Sequence, residues 1–71
     1  MIRLIQGKVL GMEMVIVLWE TDGEFHAKGF NSIEYARNYV MRTFPHVNGW
    51  AMDIEKAHGD LSHMAWALQT Y

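Results

Sequence analysis

The dipeptide Asp22-Gly23 lies between two apolar runs, and it constrains the fold of this chain more than any other feature. A two-residue type I′ hairpin turn needs positive φ at both central residues, and Asp-Gly is among its strongest sequence signals. Such a turn also fixes which residues face each other across the hairpin. The predicted cross-strand pairs are Thr21–Glu24, Glu20–Phe25, Trp19–His26, Leu18–Ala27, Val17–Lys28, Ile16–Gly29 and Val15–Phe30.

Side chains alternate along a strand, so this hairpin has two apolar faces. One face carries Met14, Ile16, Leu18, Phe25 and Ala27. The other face carries Val15, Val17, Trp19 and Phe30, with His26 and Lys28 among them. A small sheet backed by one helix usually has one dry face and one wet face, so the second apolar face predicts either a further element or another molecule.

The sequence on either side of the hairpin predicts one strand before it and one helix after it. Gly11 allows a chain reversal, which gives a three-stranded antiparallel meander near residues 2–9, 13–21 and 24–30. Asn31 as N-cap and Glu34 three residues later predict a capping box, and Phe44-Pro45 ends the helix. The expected core packs Ile33, Ala36, Val40 and Phe44 of the helix on Ile16, Leu18, Phe25 and Ala27 of the hairpin.

Two further elements complete a predicted α+β fold in the order β-β-β-α-β-α, a single domain over residues 1–71 with one small sheet backed by a helix. Residues 50–55 alternate between apolar and polar side chains, which predicts a half-buried strand. Residues 60–71 fit a helix with Asp60 as N-cap, although an alternating pattern of a strand fits them too. The helix is favoured because Ala, Leu and Gln have high helix propensity.

Composition excludes several classes of protein. The 71 residues contain no cysteine, which excludes a disulfide framework and thiolate metal sites and is typical of a reducing, cytoplasmic compartment. The apolar run of residues 14–19 is too short to cross a membrane. Six Lys or Arg and eight Asp or Glu give a net charge of −2, so a basic stripe of the kind that binds nucleic acid is not expected.

The residues do not indicate an enzyme. The sequence has no nucleophile elbow, no glycine-rich phosphate loop and no pair of acids expected to converge in a cleft. His58, Asp60 and His63 are weak candidates for a metal site, because their spacing matches no established zinc motif and Asp60 is better explained as an N-cap. We therefore expect no catalysis and no cofactor.

The pattern favours a protein-binding module. The open sheet face and the acidic hairpin tip are expected to dock on a larger protein or on a second copy of the chain. The predicted contact residues are Val15, Val17, Trp19, Glu20, Asp22, Glu24, His26, Lys28 and Trp66. Two alternatives stay open: the C-terminal helix could cover this face and bury it, or Lys28, Arg37, Arg42 and an exposed Trp could form a nucleic-acid surface.

Residues 14–57 also resemble a known class of small proteins. The resemblance lies in Phe25-x-Ala27, in Asn31-Ser32 followed by Glu34 and Ala36, and in an aromatic helix end at Phe44-Pro45 with Trp50 after it. Together these features resemble the β-hairpin–helix–strand proteins with which bacteriophages inhibit host machinery such as RNA polymerase. Residues 50–55 lack the basic residue that polymerase inhibitors would offer there, so no functional residue is carried over. The resemblance implies a phage-encoded inhibitor or anti-defence protein that acts in the cytoplasm of a bacterium.

Overall fold

A computed structural model describes residues 1–70 of the chain, with side chains described through Leu68. The elements in chain order are β1 (Ile2–Val9), β2 (Met12–Thr21), β3 (Glu24–Phe30), α1 (Ile33–Thr43), a short 3₁₀ helix (Gly49–Ala51), β4 (Ile54–Lys56) and a C-terminal 3₁₀ helix (Ser62–Thr70). The four strands form one sheet in the order β3-β2-β1-β4, in which β4 is parallel to β1 and the other pairs are antiparallel. The predicted α+β class is therefore confirmed.

The β2–β3 hairpin has the register that the Asp22-Gly23 turn predicts, in all seven cross-strand pairs. Asp22 and Gly23 have φ values of 53° and 82°, as a type I′ turn requires. Leu10 and Gly11 join β1 to β2 with almost the same angles, 51° and 81°. Both hairpins of the meander therefore use the same kind of turn, although Leu10 is a residue that seldom adopts positive φ.

Helix α1 begins one residue later than the capping box predicts. Ser32, rather than Asn31, is the N-cap, and its hydroxyl oxygen accepts a hydrogen bond of 3.1 Å from the amide of Tyr35. The predicted N-cap was wrong because Asn and Ser are both good N-cap residues, so the sequence alone does not distinguish Asn31 from Ser32. The helix ends at Phe44, before Pro45, as predicted.

The face on which α1 packs is the opposite of the predicted one. Ala36 and Val40 of α1 form a buried cluster with Leu4, Val15 and Val17, and the prediction that α1 covers Ile16, Leu18, Phe25 and Ala27 is wrong. The physical reason is strand order. Because β3 and β4 lie at opposite edges and run in the same direction, α1 is a crossover connection, and its right-handed form lies over Val15 and Val17.

The C-terminal segment covers the other face of the sheet. Ala67 is buried in a second cluster with Val9, Met14, Ile16 and Ala27. A 3₁₀ helix has three residues per turn, so residues 61, 64 and 67 lie in one row, and all three pack on this cluster. The prediction that residues 60–71 form a helix rather than a strand is confirmed for Ser62–Thr70, although the helix is a 3₁₀ helix and not the predicted α-helix, and Tyr71 lies outside the described residues.

The strand predicted over residues 50–55 is only partly correct. Residues 49–51 form the short 3₁₀ helix, and β4 begins at Ile54. Asn48 caps this turn, because its side-chain oxygen accepts a hydrogen bond of 3.1 Å from the amide of Trp50. Arg37 of α1 also donates hydrogen bonds of 2.6 and 2.9 Å to the carbonyl oxygens of Gly49 and Met52. These contacts hold the segment in a turn despite its alternating pattern.

Candidate protein-binding surface

The predicted docking face is part of the core. Val15 and Val17 are 2% and 0% exposed under α1, so they cannot contact a partner in this fold. This part of the predicted site is wrong, because the face is buried within the chain, and the alternative in which the C-terminal helix covers it is wrong as well. The covering element is α1, and the C-terminal segment expected in that alternative packs on the opposite face.

Trp19 lies at the border of this core and is half-buried. Its ring stacks on His26 at 5.6 Å, and it packs edge-on against Phe44 at 5.6 Å and beside Tyr39 at 5.9 Å. Aromatic pairs at these distances are stabilising beyond the area that they bury. Trp19 is therefore an anchor between β2 and α1, and most of its contacts are made within the chain.

Four of the predicted contact residues come together beside β3. A shallow depression of 310 Å³ is lined by Trp19, Phe25, His26, Ala27, Lys28, Tyr39 and Trp66. Lys28 holds its ammonium group over the Tyr39 ring, 5.0 Å from the centroid, which is a cation–π contact. The acidic residues Glu20, Asp22 and Glu24 are exposed at the nearby hairpin tip. Contact between this surface and a partner remains a prediction.

A much larger groove lies at the other end of β3. It has a volume of 1020 Å³, and its described lining is Met12, Met14, Gly29, Phe30, Asn31, Tyr35, Asn38, Met41, Arg42, Trp50 and Leu68. Four of these side chains are large, apolar and well exposed: Met12 at 52%, Tyr35 at 62%, Met41 at 43% and Trp50 at 50%. Contiguous exposed apolar surface of this kind is unusual on a small monomer and is typical of interaction sites.

Trp50 is held rigidly at the border of this groove. The Arg37 guanidinium lies 5.9 Å from the centre of the indole while it binds the carbonyl oxygens of Gly49 and Met52. Gly49 permits the close approach of the turn to α1, because a Cβ atom there would lie 2.7 Å from the carbonyl oxygen of Arg37. Arg37 is thus a positioning residue that fixes the turn and the ring displayed on it.

The groove was not found from the sequence, although a signal for it was present. Tyr35, Asn38 and Arg42 recur at helical spacing on the side of α1 away from the core, where an exposed aromatic residue is unexpected. Met12 and Trp50 reach the groove from distant segments, and no local pattern connects them to α1. Only the fold brings β2, the end of β3, α1, the short 3₁₀ helix and the C-terminal 3₁₀ helix together at this groove.

The cations proposed for a nucleic-acid surface serve different roles. Arg37 is engaged with two carbonyl oxygens and the Trp50 ring, Lys28 lies over Tyr39, and Arg42 lines the groove. Phosphate binding needs several cations that are free to contact one backbone. The structure therefore offers no specific support for this alternative, which remains a prediction.

The weak metal candidates are not assembled into a site. Within residues 1–70, no three His, Asp or Glu side chains are grouped so that they could hold a metal ion, so His58, Asp60 and His63 do not converge. Asp60 instead accepts a hydrogen bond of 2.7 Å from the amide of Ser62 at the start of the C-terminal 3₁₀ helix. Hydrogen bonding from the Ser62 side chain, and then from its amide, holds the pKa of Asp60 below its ordinary value.

Comparison with known proteins identifies no relative: no protein-family model, curated protein or solved structure matches the chain. The described helices include none that is long and apolar enough to cross a membrane. The function must therefore be inferred from the surfaces of the molecule itself.

Proposed function

We propose that the chain is a non-catalytic protein-binding module, and that the groove beside α1 is its binding surface. The observation that carries the proposal is the composition of the described lining. It contains Trp50, Tyr35, Phe30, three methionines and Arg42, but no Asp, Glu or Lys. The chain has eight acidic residues in all, and each of them lies outside this lining.

This composition is that of the centre of a protein–protein interface. Interface centres are enriched in aromatic residues, Met and Arg and are depleted in Lys, Glu and Asp. Trp, Tyr and Arg are also the residues that most often dominate binding energy, and the groove presents one of each. The methionine side chains are flexible, so they can adapt their shape to a partner.

The shape of the groove favours a segment of another protein over a small molecule. Sites for small molecules bury most of the ligand surface. This groove is open, and its exposed side chains would leave a small ligand largely in water. A protein partner extends beyond the groove and can bury about 800 Å² on each side, the area of a standard interface.

The proposed mode of action is occupancy. A domain of 71 residues without catalytic groups can regulate a larger protein by covering a surface that the larger protein needs. The resemblance to phage inhibitors of host machinery is consistent with this action in the cytoplasm of a bacterium. A homodimer through the groove is the competing arrangement, and it would use the same side chains.

Selection of binding peptides from a random displayed library tests the proposed surface. Peptides that bind the wild-type protein should bind Trp50→Ser with a Kd raised about thirtyfold, because an interface Trp contributes about 2 kcal/mol or more. Trp66→Ser is the matched control, since Trp66 is similarly exposed at 48% and lies outside the groove. Peptides that lose affinity only for the Trp66 variant would show that the groove is not the binding surface.

Expression in a bacterial host tests inhibition by occupancy. If the chain blocks a host protein, the wild type and Trp66→Ser should slow growth equally, and Trp50→Ser should restore it at the same protein level. Equal slowing by all three proteins would contradict inhibition through the groove.

A further inference from the structure

Arg42 is the one charged residue in the described lining of the groove. It lies in the last turn of α1 and is exposed, and it has no ion pair or hydrogen-bond partner among the side chains described, which extend through Leu68. Arg37, five residues earlier, shows the contrast, because its guanidinium is used within the chain. The planar donor fork of Arg42 is therefore free to bind a group from outside.

The surroundings of Arg42 decide what that group must be. A partner that fills the groove removes water from Tyr35, Met41 and Trp50, and it also removes water from any guanidinium that it covers. A charge that loses its water without gaining a counter-charge is strongly unfavourable. A wholly apolar occupant would therefore bind poorly, and a carboxylate placed against Arg42 would relieve this cost through two parallel hydrogen bonds.

We infer that the groove takes a segment of a partner protein in which large apolar side chains flank a carboxylate, and that Arg42 pairs with that carboxylate. This inference rests on the proposed function and adds the chemistry of the occupant. The carboxylate belongs to an Asp or Glu side chain or to a chain terminus. Arg42 is then the residue that determines specificity, while Trp50 and Tyr35 supply most of the apolar contact.

A second copy of this chain is the competing occupant, because it carries carboxylates of its own. Glu24 at the hairpin tip adjoins the exposed ring of Phe25, and Glu34 adjoins the exposed ring of Tyr35, which lies in the groove itself. The tip and the groove lie at opposite ends of β3, since Glu24 begins the strand and Phe30 ends it. Docking of tip into groove would therefore join copies head to tail as rings or filaments, whereas contact between two grooves would form a closed pair.

Three small aromatic probes of the same shape test the inference: 1-naphthylacetate, its neutral amide and the corresponding ethylamine. Binding is followed by NMR through the backbone amides of Met12, Tyr35, Met41, Arg42 and Trp50. On the wild type, the carboxylate should bind about two- to fivefold more tightly than the amide, the preference expected of an exposed ion pair, and the amine should bind most weakly. Arg42→Gln should make the carboxylate and the amide equal, and Arg42→Glu should favour the amine.

Lys56→Gln is the control, because it removes the same charge from β4, at the edge of the sheet opposite β3. It should keep the wild-type order of the probes. Equal binding of carboxylate and amide to the groove of the wild type would overturn the inference while leaving the binding surface intact. A preference for the carboxylate that survives in Arg42→Gln would overturn it in the same way. If none of the probes perturbs the groove, the inference fails, and the peptide selection with Trp50→Ser and Trp66→Ser alone decides the proposed function.

Sedimentation of the wild-type protein without probes completes the test. The inference expects a monomer whose groove signals do not change with concentration. Self-association that perturbs the groove amides and is abolished by Arg42→Glu would identify a second copy as the occupant, and the inference of a partner protein would then be wrong.

Discussion

Gly49 is a position at which the candidate binding surface is sensitive to the addition of a single methyl group. The short 3₁₀ helix that displays Trp50 approaches the backbone of α1 at this residue. A Cβ atom added to Gly49 would lie 2.7 Å from the carbonyl oxygen of Arg37, 3.2 Å from Cβ of Val40 and 3.3 Å from Cγ of Met41. The first neighbour is backbone in the middle of a helix, so it cannot move aside as a side chain would.

The cost of Gly49→Ala follows from this geometry. Insertion of a methyl group into a packed contact costs about 1–3 kcal/mol. The φ angle of Gly49 is not positive, so alanine is tolerated by the backbone itself and recovers about 0.4–1 kcal/mol by restricting the unfolded chain. The net loss is about 1.5 kcal/mol, which lowers the melting temperature of a domain of this size by about 6–12 °C.

Thermal unfolding followed by circular dichroism measures this loss, and Gly59→Ala is its matched control. A Cβ atom at Gly59 meets nothing within 4 Å, and its φ is not positive either. Gly59→Ala should therefore leave the melting temperature unchanged or raise it by a few degrees. A Gly49→Ala protein that melts at or above the temperature of the wild type would refute the tight contact between α1 and the turn.

Three further substitutions test other parts of the fold. Ser32→Ala should lower the free energy of unfolding, measured by chemical denaturation, by about 0.5–2 kcal/mol through loss of the N-cap, while Asn31→Ala should change it little. A larger loss in Asn31→Ala than in Ser32→Ala would favour Asn31 as the N-cap instead. Val17→Ser should lower the free energy of unfolding by about 2–4 kcal/mol because Val17 is fully buried, whereas Phe25→Ser, at an exposed site, should lower it far less. Similar losses in the two variants would mean that α1 does not cover the sheet face that carries Val17. Because the pKa of Asp60 is lowered in the folded protein, the stabilisation by its carboxylate is present at neutral pH and is lost as the pH falls through the folded pKa. The difference in unfolding free energy between the wild type and Asp60→Asn should therefore vanish in acid. A difference that is independent of pH would contradict the role of the carboxylate.

The parts of the fold predicted correctly depend on local chemistry. Asp22-Gly23 determines the β2–β3 register by itself, because a two-residue turn leaves no freedom in pairing. The residue before Pro45 ends α1 for an equally local reason. Alternation along β2 also identified two apolar faces correctly, since both are buried.

The parts predicted wrongly depend on contacts between distant segments. The face covered by α1 follows from the position of β4 at the far edge of the sheet, which the sequence of α1 does not contain. Residues 50–55 alternate like a strand, yet Arg37 holds the first of them in a turn. The groove joins side chains from β2, α1, the short turn and the C-terminal segment, so it exists only after the fold has formed.

The way in which the C-terminal 3₁₀ helix lies against β3 has a consequence for how the chain behaves in concentrated solution. β3 is an outer strand of seven residues, long enough to recruit strands from other molecules into a growing fibre. Leu68 lies directly over Gly29, and Ala67 packs in one cluster with Ala27, so this segment covers the apolar face of the sheet beside the outer strand. Loosening the segment, for example with Ala67→Asp, should expose this apolar face next to an outer strand and raise the binding of amyloid dyes above that of the wild type.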